Sequence, residues 1–377
     1  MDKNSAGKPT GLKSGTSREQ ASLMVFACGF GNIVFTFNWM VSVTGKPFWI
    51  AVLIGTLLNI PLGIWIFRLG KGFQGLNVFE IIEKSFGRII CGIVVLLYVS
   101  LNLAAIVCMI NLFTGSVRVY FLETTPSWFI MLLIVAMCTL FANSGIKTFG
   151  WLIELLIVFS VINFFSGFSL SIVKEFKLEH ITPIFDTTPS GFAKGVLFAA
   201  GGAGEGLLFL MTMVSSVTDP HKHYRWVVKG FAACSLVLAL EKLIMLGDVG
   251  SGVLSRTGHG GVTISRILYM GQFIRGMEVF ILMNYQYIIV TRIVMTLSSC
   301  RQAVNAVLHI RKRSWILLLV IALLMFIFSV YMDSSNTAYY LAVFLEFYII
   351  LPFVAFVLVV ASIAAVIKKR GKKLAEQ

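Results

Sequence analysis

Charge is what this sequence has least of. Asp, Glu, Lys and Arg together make up 13% of 377 residues while 58% are hydrophobic, against about 25% charged in ordinary soluble domains. That balance excludes a soluble globular enzyme, because a single core of this length cannot bury so much apolar surface. Mean hydropathy is +0.89 and phenylalanine alone occurs 32 times, so lipid is the expected solvent.

Acidic residues are scarcer still, with 17 Asp and Glu against 31 Lys and Arg and a formal charge of +14. In a soluble protein that excess would point to nucleic acid. No module of interleaved aromatics and arginines accompanies it, and the basic residues flank long apolar runs instead. Blocks such as Lys368-Lys369-Arg370 read as cytoplasmic anchors and contacts to anionic membrane lipid; no nucleic-acid partner is expected. The six cysteines, Cys28, Cys91, Cys108, Cys138, Cys234 and Cys300, contain no CxxC pair, which excludes a disulfide framework. Enzyme signatures are missing too: there is no P-loop, no HExxH zinc motif and no GxSxG nucleophile elbow. No catalytic residue, metal or cofactor is therefore assigned, and His221 and His223 read as a solvated loop.

Long apolar runs are what the sequence does have. A hydrocarbon core about 30 Å thick needs roughly 20 apolar residues per helix, and continuous rather than alternating runs exclude a barrel. Ten such runs are present, at about 20–44, 47–67, 89–117, 127–145, 149–173, 191–218, 226–248, 272–298, 315–332 and 338–367. The expected fold is an all-α polytopic membrane protein of ten transmembrane helices. A disordered cytoplasmic tail, 1–18, precedes a first five-span repeat, 19–173; an outer loop, 174–190, leads to a second, 191–367, and a basic cytoplasmic tail, 368–377. With the N-terminus inside, 21 of the 31 basic residues fall on inner segments and eight on outer ones, so the positive-inside bias places both termini in the cytoplasm. Residues 78–86 have apolar and charged positions at helical spacing and read as an interfacial helix.

Two glycine-rich segments suggest an internal duplication. Span one contains Phe26-Ala-Cys-Gly29-Phe30-Gly31 and span six Phe198-Ala-Ala-Gly201-Gly202-Ala-Gly204-Glu205-Gly206; aligned on Phe26 and Phe198, both read F-A-small-G. Five spans separate them, an odd number, so the two halves would be inverted in the membrane. Glycine weakens a helix by roughly 1 kcal/mol relative to alanine, and paired interruptions in corresponding spans point to a transporter-type midplane site between broken helices. The competing reading is close helix packing, since Gly202 and Gly206 form a GxxxG. On the broken-helix reading, bulky replacement of Gly201 or Gly204 would harm ligand response more than folding. Exposed backbone groups at such breaks suit the carboxylate and ammonium of a zwitterion such as an amino acid.

Ionisable residues inside apolar runs are functional candidates by default. Glu205 leads, being mid-span and inside the glycine cluster; it could meet a ligand ammonium, a cation or a proton, or cap a broken helix. Lys242 is expected to pair across spans rather than with adjacent Glu241. Glu154, Glu278, Arg292 and Glu346 are weaker candidates, Glu278 and Arg292 lying near span ends. Asn32, Asn102, Asn111, Asn163 and Asn284 could line a polar cavity or bridge helices.

Several stretches carry a family likeness: Ser17-Arg-Glu-Gln20, Leu76-Asn-Val-Phe-Glu-Ile-Ile-Glu-Lys-Ser-Phe-Gly87, Leu96-Leu-Tyr98, Ile181-Thr-Pro-Ile-Phe185, the glycine-rich span with Glu205, Asp219-Pro220 and Lys229-Gly230. In order and spacing the chain resembles the spore germination protein B-subunit family, the integral-membrane component of germinant receptors in endospore-forming bacteria, within the amino acid/polyamine/organocation transporter superfamily. The resemblance implies two inverted five-span repeats and a ligand pocket between unwound parts of spans one and six. It also implies A-type and C-type partner subunits and the spore inner membrane. Carried over residue by residue, it places Gly29, Gly31, Gly201, Gly202, Gly204 and Glu205 at the pocket, to which Phe30 and Asn32 are added from the same segment of span one. The sequence departs from the pattern after the first break, where Asn32-Ile-Val-Phe-Thr-Phe-Asn-Trp39 has no proline, and near Gly261-Val-Thr-Ile264, which lacks one that many relatives have.

Two functions are thus expected of one pocket: a sensor that binds a nutrient, an amino acid above all, and triggers germination, or a proton- or cation-coupled amino acid transporter. An ion channel ranks third, since no filter motif is present.

Overall fold

Helix α1, Arg18–Cys28, opens on a capping box: Ser17 Oγ accepts from Gln20 N and Gln20 Oε1 accepts from Ser17 N, both at 3.1 Å. Two backbone donors orphaned by the helix start are thereby satisfied. The chain leaves α1 at Gly29 and resumes as α2, Ile33–Thr44, bent by 50°. Gly31 has φ +51°, the left-handed region that favours glycine. The expected break in the first span is present.

The computed structural model describes residues 17–31, 33–72, 76–145, 150–151, 153–154, 157, 176–217, 224–257, 278–310 and 314–375. After α2 come α3 (Phe48–Leu57) and α4 (Asn59–Gly72), which form one span with a turn at Leu58. The short amphipathic α5 (Val78–Phe86) starts on a second capping box, Asn77 with Glu80, both bonds 2.8 Å. It buries Val78, Phe79, Ile81 and Ile82, as its spacing requires. Gly87, at φ +83°, turns the chain into α6 (Arg88–Tyr120), followed by α7 (Ser127–Asn143). A one-turn 3-10 helix, Leu178–His180, precedes α8 (Pro189–Met213), α9 (Arg225–Leu254), α10 (Glu278–Leu308) and α11 (Ser314–Met332). The last span is α12 (Ser335–Phe344), a π-helical turn Leu345–Ile349, and α13 (Ile350–Ala375).

Helix α8 forms the centre, packed against α1 to α4, α10, α13 and the π turn, and every residue from Phe198 to Met213 is buried. Around it, Ile89, Leu96, Leu323, Ile327 and Ile363 stand exposed, the apolar outer surface a bilayer covers. Among the described residues, six spans are long and apolar enough to cross a membrane, over 48–70, 88–119, 189–213, 225–254, 314–332 and 335–367; the bent α1–α2 pair makes a seventh. Of the remaining expected runs, 149–173 lies mostly outside the described residues, α7 has 17 residues, and α10 carries a buried arginine.

The sixth span corrects an expectation. It is not broken: α8 continues through Gly201, Gly202, Gly204 and Gly206 without interruption. Each glycine costs roughly 1 kcal/mol of helix propensity, but an unpaired backbone group away from water costs several, so the intact helix wins. The glycines serve close packing instead. A Cβ on Gly201 would overlap the Glu346 carbonyl, and one on Gly204 would sit 3.2 Å from Ile350 Cγ2.

Candidate functional site

The break in span one lies directly on α8. A Cβ on Gly31 would overlap the Gly202 carbonyl and come within 3.3 Å of Glu205 Oε2, so only glycine lets the two backbones meet here. Gly206 faces the Gly29 nitrogen, and Gly29 packs on Cys234 of α9. Phe30 is buried in an edge-on contact with Phe26, centroids 5.1 Å apart. Gly29, Gly31, Gly202 and Glu205 are therefore brought together, with Phe30 between the two span-one glycines turned to Phe26, while Gly201 and Gly204 face the π turn and α13. Asn32 lies outside the described residues.

Glu205 is 2% exposed and forms an ion pair with Arg292 of α10. Through Nη1, Arg292 also donates to the Cys28 carbonyl at 3.3 Å, one of the acceptors left without an intrahelical partner where α1 ends. One guanidinium thus joins α8, α10 and the C-terminal end of α1, whose dipole favours a cation. Arg292 does not lie near a span end as expected. Its helix continues to Leu308, which puts it mid-helix and buried.

A second carboxylate stands close by. Glu346, 1% exposed, sits in the π turn and accepts the Thr36 hydroxyl of α2 at 2.9 Å; its Oε1 lies 3.3 Å from a Cβ placed on Gly202. Single π turns inside α-helices occur frequently at functional sites. Trp39 of α2 lies against Phe198 and Phe347, centroids 4.8 and 5.4 Å apart. Below, Asn59 Nδ2 donates to the Ala200 carbonyl at 3.0 Å and ties the α3–α4 joint to α8. Sequence reasoning missed Thr36, Trp39 and Asn59, and undervalued Arg292 and Glu346. The π turn leaves no mark in the amino-acid order, and a threonine in an apolar run carries no signal of its own.

Lys242 also departs from expectation. It pairs with neighbouring Glu241 at 3.0 Å, because Phe37 occupies its other side with the ring centroid 4.4 Å from Nζ. Glu154 is half-buried, and the side chains of Glu278 and Asn284, with Asn163, His221 and His223, lie outside the described residues.

A buried ion pair and a second carboxylate thus stand against the broken helix of span one. A family model described as spore germination protein matches residues 16–337. The chain belongs to the spore germination protein family. It is 26% identical over 206 residues to YfkT and 21% identical over 214 residues to YndE, both Bacillus subtilis (strain 168) chains named for spore germination. These matches cover 53% and 56% of this chain and 54% and 58% of the relatives, so the chain spans little more than half their length in alignment.

Among solved structures, a Na+-coupled sialic acid symporter in a substrate-bound outward-open state aligns over 94% of this chain and 89% of its own, at TM-score 0.63 and 13% identity. MHP1, a nucleobase-cation-symport-1 family transporter in a closed conformation, aligns over 89% and 78% at TM-score 0.61 and 14% identity. At these identities the likeness is one of fold: the chain has a transporter-type helical fold and is a multi-pass membrane protein.

Proposed function

We propose that this chain is the integral-membrane subunit of a spore germinant receptor, binding a small nutrient, an amino acid, at mid-membrane and triggering germination. The observation that carries the reading is the meeting, at one level, of the α1–α2 break, the Glu205–Arg292 pair and the Glu346–Thr36 contact. Backbone groups at the break suit one end of a zwitterion and the carboxylates suit the other. The ligand contacts Gly29, Phe30, Gly31 and Asn32 on one side and Gly202 and Glu205 on the other; Gly201 holds α8 against the π turn beneath and Gly204 holds it against α13.

In this reading, ligand binding shifts α2 against α8, and the shift passes to A-type and C-type partner subunits. Ten spans in two inverted repeats, 19–173 and 191–367, leave both termini in the cytoplasm and the chain in the spore inner membrane.

A second reading, a proton- or cation-coupled amino acid transporter, is favoured by the symporter folds among its neighbours. Against metal-ion coupling, the oxygens of Cys28 and Glu205 already hold the Arg292 guanidinium, so the chain supplies that positive charge itself. The test is calorimetric titration of the purified chain in lipid nanodiscs with amino acids, sugars and nucleosides, alongside uptake into proteoliposomes. Saturable binding of an amino acid without accumulation is expected. Accumulation against a gradient would establish the transporter, and absence of binding across the panel would overturn the site.

A further inference from the structure

A separate cavity of about 600 Å³ opens at the end of the bundle where α2 stops, lined among others by Lys46, Glu179, His180, Ser251, Arg256 and Thr257. From Thr36 to the end of α2 at Thr44 is eight residues, about 12 Å of helix rise, so this cavity is distinct from the mid-membrane site. It is built by two devices. The segment carrying the 3-10 helix is strapped across the opening: Lys46 Nζ donates to the carbonyls of Glu179 (3.3 Å) and Thr182, and Lys46 N donates to Asp186 Oδ1 at 3.0 Å. Opposite, Gly250 departs from helical geometry at φ +74°, and His180 packs against it, its Cδ2 being 3.4 Å from a Cβ placed there.

The chemistry of the walls selects for charge. Lys46 spends its hydrogen bonds on carbonyls, and among the described residues neither Lys46 nor Arg256 pairs with a carboxylate. Two cations, Lys46 and Arg256, therefore face one lining carboxylate, Glu179; the other carboxylate nearby, Asp186, is engaged by Lys46 N in the strap. His180 Nδ1 lies 2.8 Å from the Gly247 carbonyl; a carbonyl only accepts, so Nδ1 carries the proton and Nε2 is left as the second polar atom of the ring. The volume falls in the range of small-molecule sites.

We propose that this cavity is a second binding site, for a small solute bearing a carboxylate, held by Lys46 and the fork of Arg256. The proposal does not depend on the mid-membrane reading. It is tested by the alkylation rate of a thiol introduced by Ser251→Cys, in phosphatidylcholine nanodiscs; the six native cysteines are all buried. Iodoacetate is the small carboxylate and iodoacetamide its neutral counterpart.

The expected result is an iodoacetate-to-iodoacetamide rate ratio about tenfold above that of free N-acetylcysteine amide, the low end of concentration by a charged cleft. Its rate should saturate with concentration, acetate should protect, and Arg256→Gln or Lys46→Gln should return the ratio to the free value. Arg256 is exposed, so its replacement leaves the fold intact even if that of Lys46 does not. An unsaturable rate at the free-thiol ratio would overturn the proposal. Equal loss of iodoacetate and iodoacetamide reactivity on adding phosphatidylglycerol, with their ratio unchanged, would assign the cavity to a lipid headgroup and also overturn it.

Discussion

Arg292 lies in the middle of α10, where a bare guanidinium costs at least about 2.5–3.5 kcal/mol on insertion scales, and it is tolerated because Glu205 and the Cys28 carbonyl meet it. Removing one partner of a buried pair leaves the other uncompensated, at about 3–5 kcal/mol. Glu205→Gln alone should therefore lower protein abundance sharply, read by immunoblot of membranes, and Arg292→Met in the same chain should restore it. Unchanged abundance of the single variant would show that the pair does not hold the fold. Glu205 was legible in the sequence as a charge among glycines. Arg292 was not, because the apolar run fades near residue 298 while the helix runs on to Leu308, so that its mid-helix position is hidden. Glu346 showed only as a charge in a span; its place at the site depends on a π turn, which local propensity does not encode.

Helices give a mixed lesson about what glycine means. In span one the cluster does interrupt the helix, since Gly31 takes a positive φ and touches the Gly202 carbonyl. In span six a similar cluster leaves α8 whole and shapes its surface so that α1, α2 and the π turn can approach. The two cannot be told apart by counting glycines; what differs is which neighbours press on the backbone. The consequence reverses the expectation for Gly201. Even Gly201→Ala must displace the Glu346 backbone, at about 3 kcal/mol or more, the upper range for an overpacked core, and abundance should fall before any ligand response is reached. Gly92→Ala, whose added Cβ would meet only Val307 at 3.8 Å, should be silent in the same immunoblot. Equal abundance of both variants would contradict the packing seen around α8.

For the molecule as a whole, composition already pointed to a membrane, and the continuous apolar runs chose helices over a closed barrel, the other fold that satisfies every backbone group in lipid. The proposed inversion of the two halves rests on the odd number of spans between the two glycine clusters, and the cytoplasmic placement of both termini on charge bias; labelling decides the placement. Thiols introduced by Lys177→Cys and Lys373→Cys should react with an impermeant maleimide from opposite sides of the membrane; reaction from one side would refute the ten-span arrangement. The central claim is that a nutrient is sensed where α2 and the π turn meet α8. Its most direct test is the germination dose-response of spores carrying Thr36→Val, with receptor abundance measured in the same spores. The replacement keeps the shape and removes the hydroxyl that Glu346 accepts, a charge-assisted bond worth about 1.5–3 kcal/mol. The expected result is a ten- to hundredfold shift in the nutrient concentration for half-maximal germination at unchanged abundance. An unaltered dose-response at unaltered abundance would contradict it.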